Sequence, residues 1–290
     1  MSDLAGIWVA VVTPFFTPQL GHQVDHPSLK KLVEHLHAEG VTGLVVLGST
    51  GEASALDDAE QDAVLDTVLS AANGLPVIAG LAGNHVGHLH KRLNHFNTLP
   101  LHAVLSPAPY YVRPSQAGLL AHFSALAEAS RAPLVLYDIP YRTGVPLERD
   151  TVLALADHSN IVGIKDCGGS SEKSREIIAD GRLQVLAGED TQIFHHLCLG
   201  AAGAITAAAQ VAPHAYMAMY KSLQSGHLEE GRRWHHRLAP LAQALFAEPN
   251  PSVVKAALAR QGWCSEHVRP PLVPASAQAN QQLEATPVPA

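Results

Sequence analysis

Ile161-Val162-Gly163-Ile164-Lys165-Asp166 is a short apolar, β-branched run bounded by polar residues, the pattern of a buried parallel strand. Its last residue but one is a lysine. An ammonium group at the end of a buried strand is costly unless it is paired or gives up its proton, and lysine shifts its pKa readily when desolvated. A neutral amine facing a cavity is the nucleophile that imine chemistry on a ketone or aldehyde requires. Most lysines, however, are solvated surface charges, and a strand-end lysine can simply emerge into water. Taken alone, these six residues favour that second reading; the rest of the chain reverses it.

Five more apolar runs precede this one, at residues 7–12, 44–47, 76–79, 102–105 and 134–137, and two follow, at 183–186 and 203–206. Helical patterns alternate with them. Leu29, Leu32, Val33 and Leu36 fall on one face of a helix over 28–39 that Gly40 ends. Asp57 and Glu60 have the spacing of a capping box for a helix carrying Val64, Leu65, Val68 and Leu69. Eight strands recurring at intervals of roughly 20 to 35 residues have βα-unit spacing and predict an α/β fold, a closed (β/α)8 TIM barrel. An open doubly wound sheet is the second choice, and the glycine fingerprint it usually carries after the first strand is missing. From about Pro213 the chain reads as consecutive helices over 215–224, 228–247 and 252–261. The expected organisation is a catalytic barrel over 1–212 and a C-terminal helical appendage over 213–290, whose end, rich in Pro, Ala and Gln from Pro270 onward, is expected to be poorly ordered.

Composition narrows the function. A chain of 290 residues with 47% hydrophobic residues can bury a large core. A formal charge of -7 provides no electrostatic footprint for nucleic acid or an anionic membrane. The 18 histidines are scattered, and no Cys or carboxylate completes a zinc spacing around His35/His37, His85/His88/His90 or His195/His196. Cys167, Cys198 and Cys264 form an odd, dispersed set that fits a reducing compartment. There is neither a secretory pattern at the N-terminus nor an apolar run of membrane-spanning length. These features predict a cytoplasmic globular protein.

In a barrel of this kind the C-terminal strand ends and the loops after them build the active site. Those positions hold Ser49 and Thr50 after the second strand, Tyr110 and Tyr111 after the fourth, Tyr137 and Arg142 after the fifth, and Lys165. An imine-forming lysine needs a nearby hydroxyl to move protons on and off the carbinolamine, which Tyr137 can do. The Ser49-Thr50 turn, flanked by glycines and leading toward a helix start, offers backbone N–H groups and two hydroxyls to a carboxylate. Arg142 can grip a second carboxylate bidentately. Singly, each also fits an ordinary turn or a packed ring.

Gly48-Ser49-Thr50-Gly51-Glu52, Tyr137-Asp138-Ile139-Pro140 with Arg142-Thr143-Gly144, and Gly163-Ile164-Lys165 resemble the signatures of the dihydrodipicolinate synthase and N-acetylneuraminate lyase superfamily. The resemblance runs from about Gly6 to about Pro274, in order and spacing. Pro109-Tyr110-Tyr111-Val112-Arg113-Pro114, the position of Arg142, and Glu248-Pro249-Asn250-Pro251 followed by Lys255 are similar to the dihydrodipicolinate synthase branch.

The resemblance implies a Schiff-base-forming aldolase on a (β/α)8 barrel, with no cofactor and no metal. Lys165 would condense with pyruvate, and the enamine formed from the imine would attack an aldehyde, L-aspartate-4-semialdehyde in the synthase branch. Tyr137, Thr50 and Tyr111 match the family's proton relay, with Tyr111 delivered from a neighbouring subunit of a homodimer or homotetramer. Ser49 and the Thr50 backbone would hold the pyruvate carboxylate, Arg142 the carboxylate of the semialdehyde, and the Ile205 carbonyl would face the substrate. Asp138 stands where asparagine is more usual, Asp166-Cys167-Gly168-Gly169 replaces Glu-Ala-Ser/Thr-Gly, and Thr206 and Gln210 replace serine and asparagine; these changes are expected to alter the pocket walls. Cys167 is expected to be a wall residue, not a second nucleophile. Two further functions stay open: a pyruvate aldolase or lyase acting on a sugar acid or hydroxy-keto acid, and a non-catalytic keto-acid-binding paralogue, which would have no need of the full relay.

Overall fold

Each of the eight apolar runs forms a strand buried along nearly its whole length. The strands are β1 (Gly6–Ala10), β2 (Gly43–Val46), β3 (Val77–Gly80), β4 (Ala103–Pro107), β5 (Leu134–Asp138), β6 (Ile161–Asp166), β7 (Gln184–Ala187) and β8 (Gly203–Thr206). In the order β1 to β8 they make a closed barrel. β1 pairs parallel with β2, and β3 through β8 pair parallel in succession. The structure, a computed structural model, describes residues 3–17 and 23–289. Among the described residues no helix is long and apolar enough to cross a membrane.

The chain divides into two compact units. One runs Val77–Ile205 and takes in the start of the chain up to Gly6; the other holds Ile7–Pro76 and everything from Thr206 onward. This division differs from the expected one at residue 212, which follows the change from alternating strands and helices to helices alone.

In the first unit, five successive parallel pairings from β3 to β8 bury Val104, Leu105, Leu134, Val135, Leu136, Ile164 and Leu186. Helices Val86–Phe96, Gln116–Ala129, Arg149–Leu155, Ser171–Asp180 and Ile193–Leu199 follow the strands in turn. The last three residues of β5 and β6 are in register, Leu136 with Ile164, Tyr137 with Lys165 and Asp138 with Asp166.

In the second unit Trp8 of β1 is wholly buried, and Gly43 of β2 makes room for it, since a Cβ there would meet the indole at 2.3 Å. Helix His26–Ala38 starts two residues ahead of the expected position because the Asp25 carboxylate accepts the Ser28 N–H and a proline occupies its first turn. Helix Asp58–Ala71 begins with the predicted capping box between Asp57 and Glu60. Four helices close the chain: Pro213–Gln224, Leu228–Leu245, Ser252–Arg260 and Ala277–Ala285. The last lies within the stretch for which the composition predicts poor order. Ser276 caps it, Ala279 and Leu283 are buried, and Arg260 donates to the Asn280 carbonyl and to the carboxylate of Glu284. Its apolar positions four apart give it a face to bury, which composition alone conceals.

Candidate active site at the ends of β5 and β6

Lys165 and Tyr137 are brought together by strand register, and both are almost fully buried. The lysine Nζ lies 4.5 Å from the centroid of the tyrosine ring. The side chain of Lys165 is held on its other flank by a residue that sequence reasoning missed. A Cβ on Gly188, the residue after β7, would stand 2.9 Å from both Cγ and Cε of Lys165 and 2.3 Å from Cys167 Sγ. Only a glycine leaves that space, and its signal in the sequence was a glycine placed directly after a strand. Gly188 N–H also donates to the Asp166 carbonyl at 3.0 Å, continuing the β6–β7 pairing by one residue.

Cys167 is buried, and that burial pushes its thiol far above the ordinary range, with the Glu189 carboxylate adding to the rise. A raised thiol pKa disfavours the nucleophilic thiolate. Glu189 also accepts a hydrogen bond from the Tyr141 hydroxyl at 3.1 Å. Burial raises the Tyr141 phenol to about 12, and Glu189 pushes it the same way. Arg142 follows on the one-turn helix Pro140–Thr143; it is exposed, with its guanidinium carbon 5.9 Å from the Tyr141 ring centre. The charge is thus available for an incoming anion.

Asp138 and Asp166, expected among the pocket walls, lie elsewhere. Successive strand residues point to opposite faces, so both carboxylates turn away from the Tyr137–Lys165 side and go under helix Ser171–Asp180. There Lys173 Nζ contacts Asp138 Oδ2 and stands 3.9 Å from Asp166 Oδ1.

The loop after β4 places Tyr110 half exposed and Tyr111 90% exposed. Tyr111 has φ of +72° and Arg113 of +47°, conformations that non-glycine residues rarely adopt. Arg113 lies against Gly144, where a Cβ would approach its Nε to 3.1 Å. Asn84 donates to the Tyr110 carbonyl at 2.9 Å. The loop is therefore a shaped projection with an aromatic ring at its tip. Ile205 lies wholly buried in β8.

Ser49 and Thr50 belong to the second unit, on the turn after β2. Leu47 and Glu52 bracket the turn with φ of +58° and +53°. Between the turn and helix Asp58–Ala71, whose start the Asp57–Glu60 capping box marks, lies a 3-10 turn, Ala53–Ala55. Ser49 is exposed, whereas Thr50 is buried and its hydroxyl accepts a hydrogen bond from Asn250 Nδ2 at 2.8 Å. The turn is also anchored by ions. Glu52 and Lys255 form a fully buried pair with Oε1 and Nζ 2.5 Å apart, and Lys255 donates further to the His267 carbonyl. Burial lowers the Lys255 pKa, and Glu52 opposes that shift. Arg269 donates its backbone N–H to Glu52 and its guanidinium to Glu60. This explains why the Glu-Pro-Asn-Pro segment and Lys255 accompany the Ser49-Thr50 turn. Gln210 is spent on the end of β1 and the residues after it, accepting from Val12 N–H and donating to the Ala10 carbonyl, and Thr206 Oγ1 accepts from Ala209 N–H. Among the described residues no group of three or more His, Cys, Asp or Glu could hold a metal ion.

A family model, "Dihydrodipicolinate synthetase family", matches residues 3–287. The chain is 39% identical over 279 residues to 4-hydroxy-tetrahydrodipicolinate synthase of Geotalea uraniireducens, covering 95% of this chain and 94% of that protein. Among solved structures, the chloride-inhibited dihydrodipicolinate synthase from Acinetobacter baumannii complexed with pyruvate superposes with a TM-score of 0.93 at 35% identity, over 98% of this chain and 97% of that one. Dihydrodipicolinate synthase from Cyanidioschyzon merolae with lysine bound gives 0.94 at 32% identity, over 99% and 98%.

Proposed function

The chain belongs to the dihydrodipicolinate synthetase family, and we propose that it is a lyase that condenses pyruvate with L-aspartate-4-semialdehyde to 4-hydroxy-tetrahydrodipicolinate, a step of lysine and diaminopimelate biosynthesis. The observation that carries this reading is the buried amine of Lys165 beside the ring of Tyr137. The amine attacks the keto carbon of pyruvate, and loss of water from the carbinolamine leaves an imine. The Tyr137 phenol supplies and removes the protons of those two steps. Loss of a methyl proton turns the imine into an enamine, whose carbon bonds to the aldehyde carbon. The amine of the adduct then attacks the imine carbon, closing the ring and releasing Lys165.

To Thr50 and Tyr111 we assign the rest of the proton relay, to Ser49 and the Thr50 backbone the pyruvate carboxylate, to the Ile205 carbonyl contact with the substrate, and to Arg142 the semialdehyde carboxylate. All of these lie at C-terminal strand ends or in the loops that follow, where barrels of this class build their sites. Tyr111 comes from a neighbouring subunit, in a dimer or in a tetramer of two such dimers. Its 90% exposure on a loop with left-handed backbone supports that assignment, because a ring on that projection lacks cover from its own unit. The cytoplasm is the proposed location.

Steady-state turnover decides the substrate. Pyruvate with L-aspartate-4-semialdehyde is expected to be consumed with a kcat/KM at least a hundredfold above that for cleavage of any sugar acid. Preferential sugar-acid cleavage would move the chain to another branch of the same chemistry.

A further inference from the structure

We propose that Lys173 is a positioning residue for this reaction: its ammonium clamps Asp138 and Asp166 together behind the strand ends and so holds the Tyr137–Lys165 pair in reacting geometry. The inference rests on the function proposed above and extends it to a residue outside the pocket.

The relevant groups lie one residue beyond the reacting pair, on the same two strands. Tyr137 is in register with Lys165, and Asp138 with Asp166. The two carboxylate side chains are 1% exposed, so water does little to screen them from each other. Lys173, on helix Ser171–Asp180, is the cation between them: it contacts Asp138 Oδ2, sits 3.9 Å from Asp166 Oδ1 and donates to the Leu147 carbonyl at 3.3 Å. The remaining partners are hydrogen-bond donors. Asp138 Oδ1 accepts Leu147 N–H at 3.0 Å, and Asp166 accepts Gly168 N–H at 2.8 Å and the Ser174 hydroxyl at 2.5 Å. His196, on helix Ile193–Leu199, stands 4.0 Å from Asp166 Oδ2 and 3.4 Å from the Ser174 hydroxyl. Burial raises the Asp138 pKa, and Lys173 is the largest influence pulling it back.

The same cluster accounts for three departures from the family pattern at once. A Cβ on Gly168 would stand 2.5 Å from Asp138 Oδ2, 2.6 Å from Lys173 Nζ and 3.1 Å from Asp166 Oδ1. A serine or threonine at position 168, more usual in the family, would have to displace the Lys173 ammonium or the Asp138 carboxylate and so disturb the clamp. Asp138, Asp166 and Gly168 are thus one coupled set organised around Lys173. Without its charge, two buried carboxylates on adjacent strands repel each other one residue from the reacting amine. Any widening there reaches Tyr137 and Lys165 directly, because Cys167 N–H donates to the Asp138 carbonyl as the next rung of the same ladder.

The test is a double-mutant cycle with rates expressed per active site, counted by borohydride trapping with pyruvate. Lys173→Met is expected to lower kcat per trapped site at least tenfold with KM for pyruvate within threefold of wild type. In the Asp138→Asn background, where no second charge needs holding, the same Lys173→Met change is expected to cost less than threefold. A purely structural role would lower the melting temperature and the number of trapped sites equally in both backgrounds and leave the rate per site unchanged. If Lys173→Met does not fold, the Asp138→Asn/Lys173→Met protein still decides. It is expected to fold and turn over within threefold of Asp138→Asn, and a tenfold lower rate per site would overturn the clamp. Equal losses in the two backgrounds would also overturn it. A wild-type protein that traps no pyruvate would instead overturn the function proposed above, and with it this role.

Discussion

Tyr137 and Lys165 are register partners across β5 and β6, and the lysine nitrogen lies 4.5 Å from the centre of the tyrosine ring. Neither side chain reaches that position by loop placement. Both are fixed by two of the most buried strands of the fold, which is where positional precision is available without further ordering.

Gly188→Ala is expected to impair imine formation. The added methyl would be 2.9 Å from two carbons of Lys165 and 2.3 Å from Cys167 Sγ, so the lysine must move. Overpacking of this kind costs about 1–3 kcal/mol of stability, and a displacement of about 1 Å in a reacting group costs on the order of a hundredfold in rate. Pre-steady-state pyruvate trapping should show the slower step. A trapping rate within twofold of wild type would mean that the lysine has slack.

Arg142→Ala separates the two substrates. The side chain is exposed beside Tyr141. Loss of a bidentate charged contact lowers affinity or rate on the order of a hundredfold. The loss should appear in kcat/KM for the semialdehyde, with pyruvate trapping almost unchanged. Near wild-type efficiency with the semialdehyde would leave Arg142 without the role assigned to it.

Lys255→Met should destabilise the protein by about 3–5 kcal/mol, because it strands the Glu52 carboxylate in a fully buried site. Adding Glu52→Gln should recover part of the loss, since the stranded charge is then gone. Urea unfolding measures both. A loss below about 1 kcal/mol for the single variant would show that the pair contributes little to holding the turn.

The eight strands and the lysine at the end of the sixth were legible because buried parallel strands have almost no polar residues, so Lys165 stands out against Ile161, Val162 and Ile164. Strand ends moved by one or two residues, as Pro107 and Asp138 show, since the ladder continues past the apolar run. The partners of Asp138 and Asp166 were not legible. Lys173 is a charged residue on a helix, and nothing in its local pattern distinguishes it from a solvated one. Glu52 and Lys255 are more than two hundred positions apart and meet only through tertiary structure. Gly188 carried a weak signal, and its meaning came from the side chain beside it. The terminal helix was hidden by composition, because Ala and Gln suit both disorder and helix.

Subunit sharing of Tyr111 can be tested by complementation. Lys165→Ala and Tyr111→Phe should each be nearly inactive. A mixed dimer of the two holds one site with both an intact lysine and an intact tyrosine, so refolding the variants together should recover up to about half the wild-type rate per mixed dimer if sites act independently. A mixture as inactive as its components, with subunit exchange demonstrated, would place Tyr111 within its own chain.

The central claim is that Lys165 is the imine-forming amine, and borohydride reduction in the presence of pyruvate tests it most directly. Irreversible inactivation that requires pyruvate is expected, with peptide mass mapping placing one reduced pyruvyl adduct on Lys165. An adduct on another lysine, or no adduct under conditions where the enzyme turns over, would contradict it.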